Sequence, residues 1–134
     1  MKYLLDTNIC IYAINGKHKE VENMLLTIDP HDVCVSTVTV AELAYGAEKS
    51  NISERSKLKM NMFLSNYATI PFTYEDALQF GVIRAFLEKQ GKVIGPFDMM
   101  IAAQGITNNL TVVTHNIKEF ERVPTLMVKD WIEE

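Results

Sequence analysis

Short, uninterrupted apolar runs alternate along this chain with longer stretches in which apolar side chains recur every three or four residues. The first pattern marks strands buried on both faces, and the second marks helices with one face against a core. Residues 2–5 (KYLL) read as a strand, followed by a helix from about Thr7 to Ile14 that the Asn15-Gly16 turn signal closes. Residues 18–28 form a helix with Val21, Leu25 and Ile28 on one face, ended by Asp29-Pro30. Val33 to Ser36 is a second strand. Helices are expected over 39–50, where Leu43 and Ala47 stand one turn apart, and over 53–66, opened by a Ser53 cap and carrying Met60, Phe63 and Leu64. Thr69 to Phe72 is a third strand, and 74–90 the longest helix, with Ala77, Phe80, Ile83 and Leu87 in a stripe and Gly91 as its stop. Pro96 opens a helix through about Ile106, and Leu110 to Val113 is a β-branched fourth strand. A short helix from Ile117 to Glu121 precedes a last strand, Leu126 to Val128.

This alternation predicts an α/β fold of three layers: a central, mostly parallel twisted sheet of four to five strands, flanked by helices. The chain has 134 residues and no repeat, low-complexity stretch or Pro/Gly-rich linker, so one domain spanning 1–134 is expected. Apolar residues make up 48% and charged residues 22%, the balance of a soluble globular protein. No apolar run nears the roughly 18 residues that cross a bilayer, and Asp6 cuts the N-terminal run too short for a signal peptide. Cys10 and Cys34 lack C-x-x-C spacing and sit in apolar stretches, which reads as buried free thiols in a reducing, cytoplasmic setting.

In a parallel sheet, ligands bind beyond the carboxyl ends of the strands. Asp6 follows the first strand directly, Glu42 lies six residues past the second, Asp98 sits in the first turn of the helix opened by Pro96, and Asn116 comes three residues after the fourth. Each has a structural explanation. Asp6 could cap a helix, Thr39-x-x-Glu42 is a capping box, and Asp98 complements a helix dipole. Their surroundings favour more. All three acids lie in apolar stretches (LLDTNICIY, VSTVTVAELAYG and IGPFDMMIAA), where a lone carboxylate is costly unless paired, protonated or bound to metal. Three converging acids call for a hard cation such as Mg²⁺ or Mn²⁺, placing them within coordination distance of a shared ion. Such a site suits phosphodiester hydrolysis. His18 and His31 lie in polar stretches and read as surface residues, while His115, nearest the proposed site, is a poor argument for zinc on its own. The formal net charge of −4 is unusual for a nucleic-acid binder, although clustered carboxylates lower it and a bound cation would invert the field there.

Four blocks, in order and with family-like gaps, resemble the PIN-domain family over essentially the whole chain, and most closely its VapC-type toxins. They are LLDTN, STVTVAEL followed by YGAEKS, GPFDMMIAA, and VVTHNIKEF. The resemblance implies a PIN-like fold and a magnesium-dependent endoribonuclease, with Mn²⁺ as a substitute. Asp6 and Asp98 would be the principal ion ligands, and Glu42 would bind a second ion or hold a metal-bound water. Many PIN domains carry a fourth Asp where Asn116 stands here, which favours one tightly held ion and makes Glu119 a substitute acid. Thr7, Asn8, Ser36 and Thr114 would orient the carboxylates by hydrogen bonds, with helix capping an equal alternative for each. Arg84 and Lys92 could touch phosphate. The resemblance further implies a VapB-type antitoxin whose C-terminal arm enters the toxin's groove, a homodimer or hetero-oligomer with that antitoxin, and a structured RNA substrate, often tRNA. The Asn116 departure also allows a PIN-like binding module that has lost catalysis. A receiver-type phosphoacceptor domain would want an acidic pair near strand one and a Lys soon after a late strand, which this chain lacks.

Overall fold

The computed structural model describes residues 1–132. Its elements, in chain order, are β1 (Tyr3–Leu5), α1 (Thr7–Asn15), α2 (Lys19–Thr27), β2 (Val33–Ser36), α3 (Thr37–Lys49), α4 (Ser53–Leu64), β3 (Ala68–Ile70), α5 (Tyr74–Gln90), α6 (Pro96–Thr107), β4 (Thr111–Val113), α7 (Ile117–Phe120) and β5 (Met127–Lys129). A 3₁₀ turn at Pro30–Asp32, not foreseen in the sequence, leads into β2. The five strands form one sheet in the order β3-β2-β1-β4-β5, and every neighbouring pair is parallel. The expected fold class is realised. Among the described residues no helix is long and apolar enough to cross a membrane.

Successive strand residues point to opposite faces, so each strand feeds two cores. Leu4, Cys34 and Val112 join Ile83, Leu87, Met99, Ile101 and Phe120 under α5, α6 and α7. Leu5, Val33, Val35 and Val113 join Ile9, Cys10, Val21 and Leu43 on the other face, against α1 to α4. Both cysteines are free and buried. Close helix–sheet approach depends on Gly105 of α6, where an added Cβ would meet Val112 Cγ2 at 2.8 Å and Leu126 Cδ1 at 3.0 Å.

Several boundaries and caps differ from the sequence reading. Ser36, rather than Thr39, caps α3, and Ser53 makes no cap: the N-cap of α4 is Ile52, which has no side-chain bond. The third strand ends at Ile70, where Pro71 interrupts the ladder, rather than at Phe72. On α5, Ile83 and Leu87 are buried as expected, but Ala77 is exposed and the buried position in that turn is Asp76. Asp76 closes a capping box with Thr73, which draws it inward in place of the alanine.

The chain leaves β1 toward β2 on one side and returns to β4 on the other. The crevice at the carboxyl end of β1 is therefore the place where the fold can admit a ligand.

Candidate active site

Asp6 stands at that point. Its backbone N–H donates to Val113 O of β4 at 3.0 Å, and its side chain accepts from Ile9 N at 2.9 Å, capping α1. It is only 3% exposed. The capping role is thus real, but it does not offset the cost of burial. Burial pushes Asp6 up to about 6 against hydrogen bonds from Thr114 and Ile9, and the charges of Asp98 and Glu42 add to the rise.

Asp98 reaches the same region from α6. Gly95 is the N-cap and Pro96 the first helical residue, which places Asp98 in the first turn, half-buried. Burial first, then Glu42, then Glu119, raise it to about 6. Acids from four separate segments are therefore within electrostatic reach: Asp6 after β1, Glu42 on α3, Asp98 on α6 and Glu119 on α7.

Glu42 is held by a chain of hydroxyls. Thr7 Oγ1 donates to Glu42 Oε1 at 2.6 Å and lies 3.0 Å from Thr39 Oγ1. Thr39 is fully buried and bridges α3 to α1, a role hidden by its resemblance to a cap. The signal available in the sequence was a second small hydroxyl residue one turn before Glu42, on the face that points at Asp6-Thr7.

Thr114 is buried at the end of β4, bonds the Asp6 carboxylate, and accepts from Asn116 N at 2.9 Å. The remaining sequence candidates are less engaged. Ser36 is buried, with its Oγ accepting from Val38 N at 2.9 Å, so its hydroxyl oxygen serves the start of α3. Asn8 is exposed, and among the described residues no hydrogen bond joins its side chain to a carboxylate. Asn116 is the N-cap of α7 without a side-chain cap bond, and the acidic partner that Asp98 senses from this segment is Glu119. Arg84 is exposed and pairs with Glu88 at 3.3 Å along α5. His115 turns toward Asp130, its Nδ1 2.9 Å from Oδ2. His18 is half-buried against Tyr12, with ring centroids 4.6 Å apart, rather than lying free on the surface, while His31 is exposed beside Asp29 as expected. Beneath Asp6, burial and then the Asp6 charge push the Cys10 thiol far up, so it stays protonated and inert.

The donor set is carboxylate and hydroxyl oxygen, with neither thiolate nor imidazole among the acids, which suits a hard cation. Among the described residues, no three His, Cys, Asp or Glu side chains form a group able to hold one ion by themselves. The three acids, expected from the sequence to meet within coordination distance of a shared ion, therefore do not form a ready-made three-ligand group. Repelling charges short of such a group fit an ion such as Mg²⁺, which is bound by one or two carboxylates and keeps several waters.

A sheet of order β3-β2-β1-β4-β5 with acids gathered at the carboxyl end of its central strand defines a class of compact α/β domains with an acidic centre. The chain belongs to the PIN domain family, whose model matches residues 3–126. It is 41% identical over 133 residues to "Ribonuclease VapC2" of Rickettsia felis, with 98% of each chain covered. To the "tRNA(fMet)-specific endonuclease VapC" of Salmonella typhimurium it is 37% identical, again with 98% of each covered. In structure it matches a chain of the DNA-bound VapBC of Salmonella typhimurium with a TM-score of 0.93 at 37% identity, covering 98% of both chains. A chain of VapBC2 from Rickettsia felis, bound to a DNA fragment from its promoter, gives a TM-score of 0.92 at 39% identity, covering 98% of this chain and 99% of that one.

Proposed function

We propose that this protein is a metal-dependent endoribonuclease and the toxin of a type II toxin–antitoxin pair, working in the cytoplasm and restrained by a VapB-type antitoxin. The observation that carries the reading is the gathering of Asp6, Glu42 and Asp98 at the carboxyl edge of the sheet, with Asp6 and Asp98 both raised to about 6. Membership of the PIN family and the names of its VapC relatives support the choice of RNA.

In this reading Asp6 and Asp98 would hold Mg²⁺, or Mn²⁺ in its place. When bound, the ion neutralises a phosphodiester oxygen and lowers the pKa of a water. Glu42 Oε1 is fixed by Thr7, which leaves Oε2 to take a proton from the attacking water. Thr114 orients Asp6, and Glu119 adds negative charge beside Asp98. The substrate is structured RNA of the tRNA kind, whose cleavage stops translation and growth. Beside Glu42, a groove of about 300 Å³ has apolar walls from Ile11, Ile14, Leu43 and Met60. It is the seat for an antitoxin arm, and an arginine on that arm would meet the acids.

Purified protein should cleave RNA with Mg²⁺ or Mn²⁺ and stop on addition of EDTA. Expression of the wild type should arrest bacterial growth, whereas Asp98→Asn should not. Indifference of RNA and growth to the wild type would instead favour a binding module without catalysis.

A further inference from the structure

A second pocket, of about 560 Å³, is walled by Phe86, Gln90, Lys92, Lys118, Glu121 and Arg122. It has three cations against one acid in a chain whose formal net charge is −4. Among the described residues none of these three cations forms an ion pair within the chain. The pocket is tied to the site through both of its walls. Lys92 lies in the loop that runs on to Asp98, and Lys118 neighbours Glu119 on α7. Arg122 is half-buried, and its Nη1 donates to Val93 O at 3.4 Å, joining the two walls. Gly91, in the left-handed region at φ 66°, ends α5, and Lys92 N–H bonds back to Leu87 O at 3.0 Å, so Lys92 leaves from an ordered turn.

An acidic centre repels the strand it must cut. Cations on the segments that carry Asp98 and Glu119 offset that repulsion there and favour a path for the strand past this pocket. Phe86, 40% exposed on the same wall, offers a ring on which an unpaired base stacks. We infer that Lys92, Lys118 and Arg122 form a phosphate-binding subsite that grips the backbone of a single-stranded or looped RNA segment flanking the cleavage point. The inference rests on RNA being the substrate.

The test uses a fluorescent RNA hairpin and the Lys92→Gln/Lys118→Gln double variant; both side chains are exposed, so the fold is left intact. Lys2→Gln serves as control, removing a like charge at the opposite end of β1, where Lys2 pairs with Asp32 at 3.9 Å. In the double variant KM should rise about tenfold near 0.1 M salt with kcat within twofold, and the slope of log(kcat/KM) against log salt should flatten by roughly 1.4–1.8. Lys2→Gln should leave the slope as in wild type. If wild type cleaves and the double variant keeps its KM and slope, or if Lys2→Gln matches the double variant, the subsite is refuted while the ribonuclease reading stands. If wild type cleaves with no divalent cation, that reading fails instead. Hairpin binding by anisotropy then decides the subsite alone: a Kd raised about tenfold in the double variant only supports it, and equal Kd values refute it.

Discussion

Asp6 and Asp76 are both aspartates sealed from water, 3% and 1% exposed, and both belong to the start of a helix. They differ in what surrounds them. Asp76 accepts from Thr73 N at 2.8 Å and from the Thr107 hydroxyl, while its own N–H donates to Thr73 Oγ1 at 3.2 Å. Its charge is met by donors, and the result joins α5 to α6. Asp6 also caps a helix and also has a threonine, but burial outweighs those bonds, and two further carboxylates stand in reach. Burial of a carboxylate alone therefore marks no active site. Incomplete compensation beside other acids does, because that charge is relieved by a cation.

The comparison is open to breakage at both ends. The largest effect should come from Asp6→Asn or Asp98→Asn, each lowering RNA cleavage at least about a thousandfold in a gel assay while circular dichroism stays native. Full activity in either would remove the distinction from Asp76. Asp76→Ala should do the opposite, leaving cleavage intact at low temperature but costing about 2–4 kcal/mol in urea unfolding, since it strips a cap and leaves Thr73 N–H and the Thr107 hydroxyl without their acceptor.

The pH dependence tests Asp6 next. Asp6 titrates at 3.8 in the unfolded chain and at about 6 when folded, so between those values the folded protein holds the extra proton. Its contribution to stability is fully present below about pH 4 and is lost as pH rises through 6, to a ceiling of about 3 kcal/mol. In EDTA, Asp6→Asn, which still caps α1, should match wild type at pH 4 and exceed it at pH 7.5. A variant that gains nothing at pH 7.5 would mean that burial leaves no cost on the Asp6 charge. Mg²⁺ at about a hundredfold above its Kd should restore roughly 2.7 kcal/mol to wild type and nothing to Asp98→Asn, read by calorimetry. The smallest expected change is for Glu119→Gln. It lowers the repulsion on Asp98 and should shift the acid limb of the cleavage profile downward, with kcat altered about two- to fivefold. An unchanged limb would return the fourth-acid role to Asn116.

Much of the site was legible because local rules and function coincide. A parallel sheet presents its ligands after strand ends, and Asp6 and Thr114 follow strands directly. Thr39 escaped the sequence reading because a hydroxyl near a helix start reads as a cap even when it reaches across to another helix, and Asp76 escaped because the apolar stripe put Ala77 in its place. His18 escaped because its neighbours in sequence are polar, while its neighbours in space are Tyr12 and His115.

The sequence by itself determined the order of strands and helices, the two-faced apolar pattern of the sheet, and which acids lay in apolar surroundings, because periodicity and burial cost are local properties of the chain. Only the tertiary structure decided that β1 is central, that Glu42 is roped to α1 through Thr7 and Thr39, that Glu119 acts on Asp98, and that Lys92, Lys118 and Arg122 share one pocket. Those outcomes depend on distances between segments far apart along the chain, and such distances are set by packing.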